Sequence, residues 1–420
     1  MMSIHLRPPF FFPLFSLGMA VGIFCFSQVS TASADPLYAS NPPAVFRVNP
    51  QVLARSKAAF VSHDQSLKPA FEKLFQDASD ALKIVPPSVM DKHQLPPSGD
   101  KHDYISQAPY FWQDTNNPTS GYVRRDGEHN PEAKSDSDSD SLKLVCSSVE
   151  TLALAYYFSG EEYYADKASK LLRVWFLDPS TRMNPNLNYG QGIPGKVEGR
   201  PQGLISAACL VDAIDAIGLL EGSNAWNTAD QIGMKEWMSH YYEWLTTSKI
   251  GLGEAKAKNN HGTLYDTQSA VIALFLGKND EGRNVLRDVP ERRINVQIDT
   301  NGAQPLELSR TRSFHYSMKN LEGLMDLASI AQNQGIDLWH QTSSGGQGIL
   351  KALEFIAPYW DKNKKWPYKQ IDGFNFVELS EILQRAAPHY PESTFSKALK
   401  STHNDLAANR NRILFETVEN

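Results

Sequence analysis

Cysteine is close to absent: three residues in 420, too few for a disulfide framework. A basic excess is absent too. Lys and Arg number 41 against 47 Asp and Glu, a formal net charge of −6, which argues against a nucleic-acid binder. The chain carries no H-E-x-x-H, no G-x-S-x-G and no Cys/His cluster at zinc spacing, so the local patterns of zinc proteases, nucleophile-elbow hydrolases and structural zinc sites are missing. Its one sequon-like triplet, Asn117-Pro118-Thr119, is disqualified by the proline. Alternating strand patterns are scarce, INVQI at 294–298 being the best, and no repeat of fixed period emerges.

Long apolar runs are confined to the N-terminus. His5 and Arg7 precede a run from Phe10 to Phe26, and Ala32-Ser33-Ala34 supplies an A-x-A cleavage signature. This reads as a signal peptide over 1–34, cut before Asp35, in preference to a transmembrane anchor. Pro13, Ser16 and glycines interrupt the run. No later stretch reads as a membrane span. The expected product is exported, periplasmic or secreted, free of the membrane after cleavage and monomeric; the missing sequon leans towards a bacterial compartment. Loss of Arg7 leaves 40 basic against 47 acidic residues. Cys146 and Cys209 remain, either paired or as two buried thiols.

What is present is helical periodicity. After a Pro-rich tether at 35–50, apolar residues recur at helical spacing over 50–62, 67–83, 141–159, 161–176, 201–220, 232–249, 260–277, 279–290, 317–334, 347–358, 376–387 and 394–401. Ser66 and Ser141 read as helix starts. Short connections between many helices predict antiparallel pairs in one domain over 51–410, with 411–420 as a tail. Two long stretches break the pattern: 84–140, rich in aromatics, and 178–200, rich in Asn, Gly and Pro. Segments of this kind inside a compact domain are usually functional.

Several motifs have plain readings. Gly190-Gln191-Gly192 through Gly195-Lys196 matches G-x-G-x-x-G, but no strand pattern precedes it and Val197 stands where a phosphate loop needs Ser or Thr. The SDSDSDS run at 135–141 lacks the glycine and distal Glu of a calcium loop, so a solvated acidic helix entry is the better reading. Two segments resist such accounts. Asn259-Asn260-His261-Gly262 opens an apolar helix on which His261, Tyr265 and Gln268 share a face. Gln304 to Tyr316 packs Arg310, Arg312, His315 and Tyr316 into seven residues. Together they make a site more plausible than two independent core networks.

NNHGTLYD, PLELSRTRSFHY and DPSTRMNPNLNYGQGIPG with the following Gly199-Arg200 resemble the alginate-lyase superfamily, closest to polysaccharide lyase families 5 and 38, over a region from about Trp112 to Trp366. The resemblance implies an all-α fold, an incomplete α/α toroid of about six to seven helix pairs with long loops forming a cleft. It implies β-elimination on an anionic uronate polysaccharide without metal or other cofactor. By resemblance Tyr316 is base and acid, Arg310 helps bind the carboxyl, and His261 and Asn260 neutralise developing charge, with His261 able to assist as base. Asn188, Tyr189 and Gln191 look like the loop's contribution to the cleft. Arg312 binds a flanking uronate or orients Tyr316; the family pattern has one more residue between arginine and tyrosine than Arg310–Tyr316, so Arg310 and Arg312 compete for the carboxyl role. His315, Tyr265, Arg125 and Trp112 complete the expected substrate contacts.

The chemistry accounts for these residue types. Elimination removes the C5 proton of a uronate and expels the C4 oxygen, so cations must hold the carboxyl, a base must reach the proton and an acid must meet the leaving oxygen. In mannuronate and glucuronate both lie on one ring face and one tyrosine can serve both. A tyrosine base needs its pKa lowered from about 10, and Arg310, Arg312 and His315 are the expected source. A polyanion substrate also predicts a positive groove on an acidic body, drawing on Arg124, Arg125, Arg182, Arg200, Arg310 and Arg312. Two rivals remain: a glycoside hydrolase using Glu307 and Asp266 as its carboxylate pair, and a non-catalytic carbohydrate-binding protein.

Overall fold

The computed structural model describes residues 42–117, 121–134, 137–399 and 406–416; the expected signal peptide and the first part of the tether lie outside them. The helices are α1 (Pro50–Val61), α2 (Lys68–Leu82), α3 (Asp138–Ser159), α4 (Glu162–Leu172), α5 (Leu210–Leu220), α6 (Thr228–Thr247), α7 (Lys249–Ala255), α8 (Asn260–Phe275), α9 (Asn279–Val289), α10 (Asn295–Gln297), α11 (Pro305–Leu308), α12 (Ser313–Asn333), α13 (Ile349–Ile356), α14 (Phe376–Ala386), α15 (Thr394–Leu399) and α16 (Asn411–Leu414).

Burial sorts them into two layers. Every residue of α5 except Asp212 is buried, and so is every residue of α8 except His261 and Leu264. A helix buried on all sides belongs to the inner layer, and in α8 the buried polar groups find partners inside the protein. Helix α9 buries only Gly282, Leu286 and Val289, the single face of an outer helix. The inner helices run α3, α5, α8, α12, each packed on the next, while α4 backs α3, α6 and α9 back α8, and α13 and α14 back α12. The fold is an incomplete α/α toroid. Pro201–Leu220, which ends in α5, is long and apolar enough to cross a membrane, contrary to the expectation that no such stretch follows the N-terminus; 78% of its apolar window is buried among the other helices.

Other boundaries differ for local reasons. Helix α3 starts at Asp138, with Ser137 rather than Ser141 accepting the capping bond, and Asp138 is buried against Lys92 at 2.9 Å instead of being solvated. Helix α2 has no side-chain cap. INVQI is helical: Pro290–Ile294 forms a wide π turn that continues into α10. Ile294 and Ile298 are buried and Val296 is exposed, a helical i, i+4 face, whereas a strand would have put all three on one side.

Among the described residues the four strands are short and lie in the two long loops. β1 (Ile105–Gln107) pairs in parallel with β4 (Tyr189–Gly192), and β2 (Phe111–Gln113) with β3 (Tyr122–Arg124) antiparallel. The β1–β4 pair joins the two loops into one wall. A Cβ on Gly203 would come within 2.6 Å of the Gly190 backbone, so the glycine-rich run serves close chain packing, not phosphate contact.

Both chain ends are docked where described. Asp215 accepts backbone N–H bonds from Phe46 (2.6 Å), Arg47 (3.0 Å) and Val48 (2.9 Å). A Cβ on Gly218 would meet the Ala44 carbonyl at 2.1 Å. From Pro42 on, the expected tether is therefore a strap against α5. Ile413, Leu414 and Phe415 are buried, so the middle of the expected tail packs into the core. Cys146 and Cys209 are both free thiols.

Candidate active site

The main cavity, about 1120 Å³, opens at the N-terminal ends of the inner helices. Its lining takes Ser137, Ser139, Asp140 and Lys143 from the start of α3, Pro201, Gln202, Ile205 and Ser206 leading into α5, Asn259 and His261 at the start of α8, and Arg310, Arg312, His315, Tyr316 and Lys319 at the start of α12, closed by the β1–β4 wall and Tyr110. Eight lysines and arginines line it (Arg124, Lys134, Lys143, Arg200, Lys256, Arg310, Arg312, Lys319) against two carboxylates, Asp140 and Glu254. The expected positive groove on an acidic chain is there, although Arg125 and Arg182 lie outside it.

Tyr316 projects from the first turn of α12, and its hydroxyl touches that of Tyr110. The Arg310 guanidinium covers the Tyr316 ring, 3.9 Å from its centroid. Arg310 is itself held by Asp126, Nη2 to Oδ1 at 2.8 Å and Nε to both oxygens at 3.0 and 3.1 Å. Burial works against the Asp126 carboxylate, but Arg310 and the Thr311 amide outweigh it and bring its pKa down to about 2. For Tyr316 the outcome is opposite to the expected lowering. Burial and the Tyr110 hydroxyl push its pKa well up, and Arg310 offsets only part of this. The resting phenol is neutral.

His261, in the first turn of α8, meets the buried Glu254 carboxylate through Nδ1 at 2.5 Å. With Glu254 accepting from Nδ1, a neutral ring carries its lone pair on Nε2. His315 has its pKa lowered to about 4 by burial and by Arg312, so it is neutral at pH 7. Arg312 pairs with Asp372 and meets His129 Nε2 at 3.0 Å. Gln191, at a left-handed φ of 50°, accepts from Arg200 Nη2 at 2.6 Å. Burial and Arg124 draw the Arg200 pKa down to about 10.

Six expected site residues thus share the cavity: Tyr316, His261, Arg310, Arg312, His315 and Gln191. The others do not line it. Asn260 is fully buried behind His261, its amide nitrogen donating to both Glu307 oxygens at 2.9 Å. Tyr265 points into the core and donates to the Leu245 carbonyl at 3.3 Å. Asn188 accepts from Trp244 Nε1 at 2.8 Å, and Tyr189 pairs with Ile105 in the sheet. Trp112 and the exposed Arg125 stack on each other, 5.0 Å apart. The hydrolase carboxylates fare no better: Asp266 is locked to Arg293 (2.7 Å) and Glu307 to Asn260. Tyr110, Asp126, Glu254 and Lys319 are the additions. No local spacing distinguishes them; only Tyr110 had a hint, its place in an aromatic loop.

A family model described as alginate lyase matches residues 88–366. The chain belongs to the alginate lyase family. An alginate lyase from Bacteroides ovatus is 40% identical, with a TM-score of 0.85 over 89% of this chain and 99% of its own. Alginate lyase A1-III from Sphingomonas species A1 shares the fold at 17% identity and a TM-score of 0.56, covering 89% of this chain and 98% of that one. An A1-III variant complexed with a tetrasaccharide gives 17% and 0.59, over 90% and 98%. No curated protein matches. The chain is therefore a polysaccharide lyase, and the cavity with Tyr316 is its candidate active site.

Proposed function

We propose that this lyase cleaves β-1,4-linked uronate polysaccharide, alginate first and glucuronan as the close alternative, by metal-independent β-elimination. The observation that carries the reading is a tyrosine hydroxyl in a cleft with a large cationic excess. The similarity to enzymes titled alginate lyases favours alginate. The uronate carboxyl would sit among His261, Arg310 and their neighbours, which stabilise the negative charge that grows when the C5 proton leaves. The C5–H electron pair forms the C4–C5 double bond, the C4–O bond breaks, and Tyr316 returns a proton to the departing oxygen.

Tyr316 serves as base as well as acid once the sugar enters. The sugar edge must part the two touching hydroxyls, which removes the Tyr110 contribution to the high pKa and leaves Arg310 over the ring. The neutral resting phenol favours a second assignment, in which His261 Nε2 takes the C5 proton and Tyr316 acts only as acid. Export is part of the proposal and rests on the N-terminal sequence.

An ultraviolet time course on the mature protein with polymannuronate, polyguluronate and glucuronan, with and without chelator, tests the reading. A rise from the new conjugated double bond is expected on polymannuronate in both conditions. New reducing ends without that rise would mean hydrolysis. Tyrosine as base requires kcat/KM to climb through the alkaline range, whereas a histidine base requires turnover to vanish in a His261→Ala variant. N-terminal sequencing of exported protein should begin at Asp35.

A further inference from the structure

The positive cleft contains two kinds of cation. Arg310 is matched by Asp126 and Arg312 by Asp372. Away from the cleft, the buried Lys92 is matched by Asp138. The side-chain amines of Lys319 and Lys143 have neither an ion pair nor a hydrogen bond to any described residue, and both line the cavity. Lys319 stands three residues after Tyr316 and four after His315 on α12, which puts all three on one helical face, with Lys319 one turn deeper. Lys143 comes from the first turns of α3, across the cavity.

We infer that Lys319 and Lys143 form a second carboxylate-binding point, which seats a uronate adjoining the one cleaved at Tyr316. The inference rests on the uronan reading above and extends it to a neighbouring sugar. A half-buried ammonium without a counter-charge is costly to the free protein unless a ligand supplies the missing charge. The carboxylates nearest Lys319 (Glu322, Glu378 and Glu307) attract its charge from a distance, and none forms an ion pair with it. Glu322 has its pKa raised to about 8 by burial and by Glu378 and Asp326, which leaves it mostly protonated at neutral pH. Glu378 stands 4.0 Å from His315 and bonds Asn375 at 3.1 Å. Glu307 is taken by Asn260. Burial and the like charge of Lys143 depress the Lys319 pKa, a penalty that a bound carboxylate would reverse. An ammonium suits such a point because it is a compact charge with rotatable donors and imposes no fixed bidentate geometry on successive sugars.

The test uses the mature full chain. Lys319→Met should raise KM on polymannuronate about tenfold with kcat within about twofold, and Lys319→Arg should recover most of that loss. Lys143→Met, at an exposed position, should act in the same direction and is the fallback if Lys319→Met does not fold. Titration of the Tyr316→Phe protein with a mannuronate trisaccharide should show the same lysine dependence, and a neutral mannose trisaccharide should show none. An unchanged KM in both methionine variants at wild-type melting temperature overturns the inference. So does an equal loss of binding for the neutral sugar, which would mean packing instead of charge recognition. If the wild-type protein cleaves no uronan, the functional reading fails by itself. Lysine-dependent binding of the mannuronate trisaccharide to that protein would still uphold the subsite, and its absence would remove it.

Discussion

The inner helices carry two charge networks, a few turns apart, that obey opposite rules. At the cleft, α3 offers Lys143 and α12 offers Tyr316 and Lys319, facing open space. Further along the same helices, Glu150 and Asp326 join Asp212, Arg47, Arg385 and Arg410. Arg47 Nη2 lies 2.9 Å from Glu150 and 2.8 Å from Asp212, and Arg385 Nη1 2.7 Å from Asp326. Burial opposes the Arg47 charge, yet four surrounding carboxylates raise its pKa. Here each charge has its complement inside the protein. The contrast gives a criterion for this fold: charge matched internally holds the chain, and charge left open awaits a ligand.

Tyr316→Phe should break the comparison most sharply on the open side. We expect kcat to fall about a thousandfold with the melting temperature unchanged, read by the double-bond assay and thermal unfolding. Arg47→Met should do the reverse. Removing one member of a buried charge cluster costs about 3–5 kcal/mol, visible in urea unfolding, while the folded fraction keeps its kcat/KM. Glu254→Gln sits between the two classes because its carboxylate is buried yet serves a cleft histidine. It should lower kcat/KM about tenfold, since the His261 tautomer is no longer held by charge.

The smallest expected effect is a pH-dependent one. Glu322 titrates about 8 in the folded chain against an ordinary 4.5. A carboxyl raised on folding contributes stability that is complete below 4.5 and is lost as pH rises through 8. Glu322→Gln should therefore melt a few degrees above wild type at pH 9, and the gap should narrow towards pH 5. A gap that widened on acidification would contradict the assignment.

Much of this arrangement was legible beforehand, for identifiable reasons. Helical spacing is local, so α3, α8 and α12 were readable, whereas the division into inner and outer helices shows only in the burial. Tyr316, His261 and Arg310 stood out because unlike polar groups crowded a few positions. What escaped depends on distant pairing. Tyr110 reaches Tyr316 across 206 residues, and Asp126 reaches Arg310 across 184. Tyr265 misled because a helical face shared with His261 continues from the cleft into the core within one turn. Asn260 sits behind the cleft lining because adjacency to a cleft residue on a helix turns the next side chain away.

The cavity's position at the starts of α3, α8 and α12 has one more consequence. Each helix presents the positive end of its peptide macrodipole there, about half an elementary charge. Unlike the phenol, the imidazoles or the lysines, peptide dipoles do not titrate. Part of the cleft's attraction for a polyanion is therefore fixed by backbone direction, and persists at any pH at which the chain stays folded.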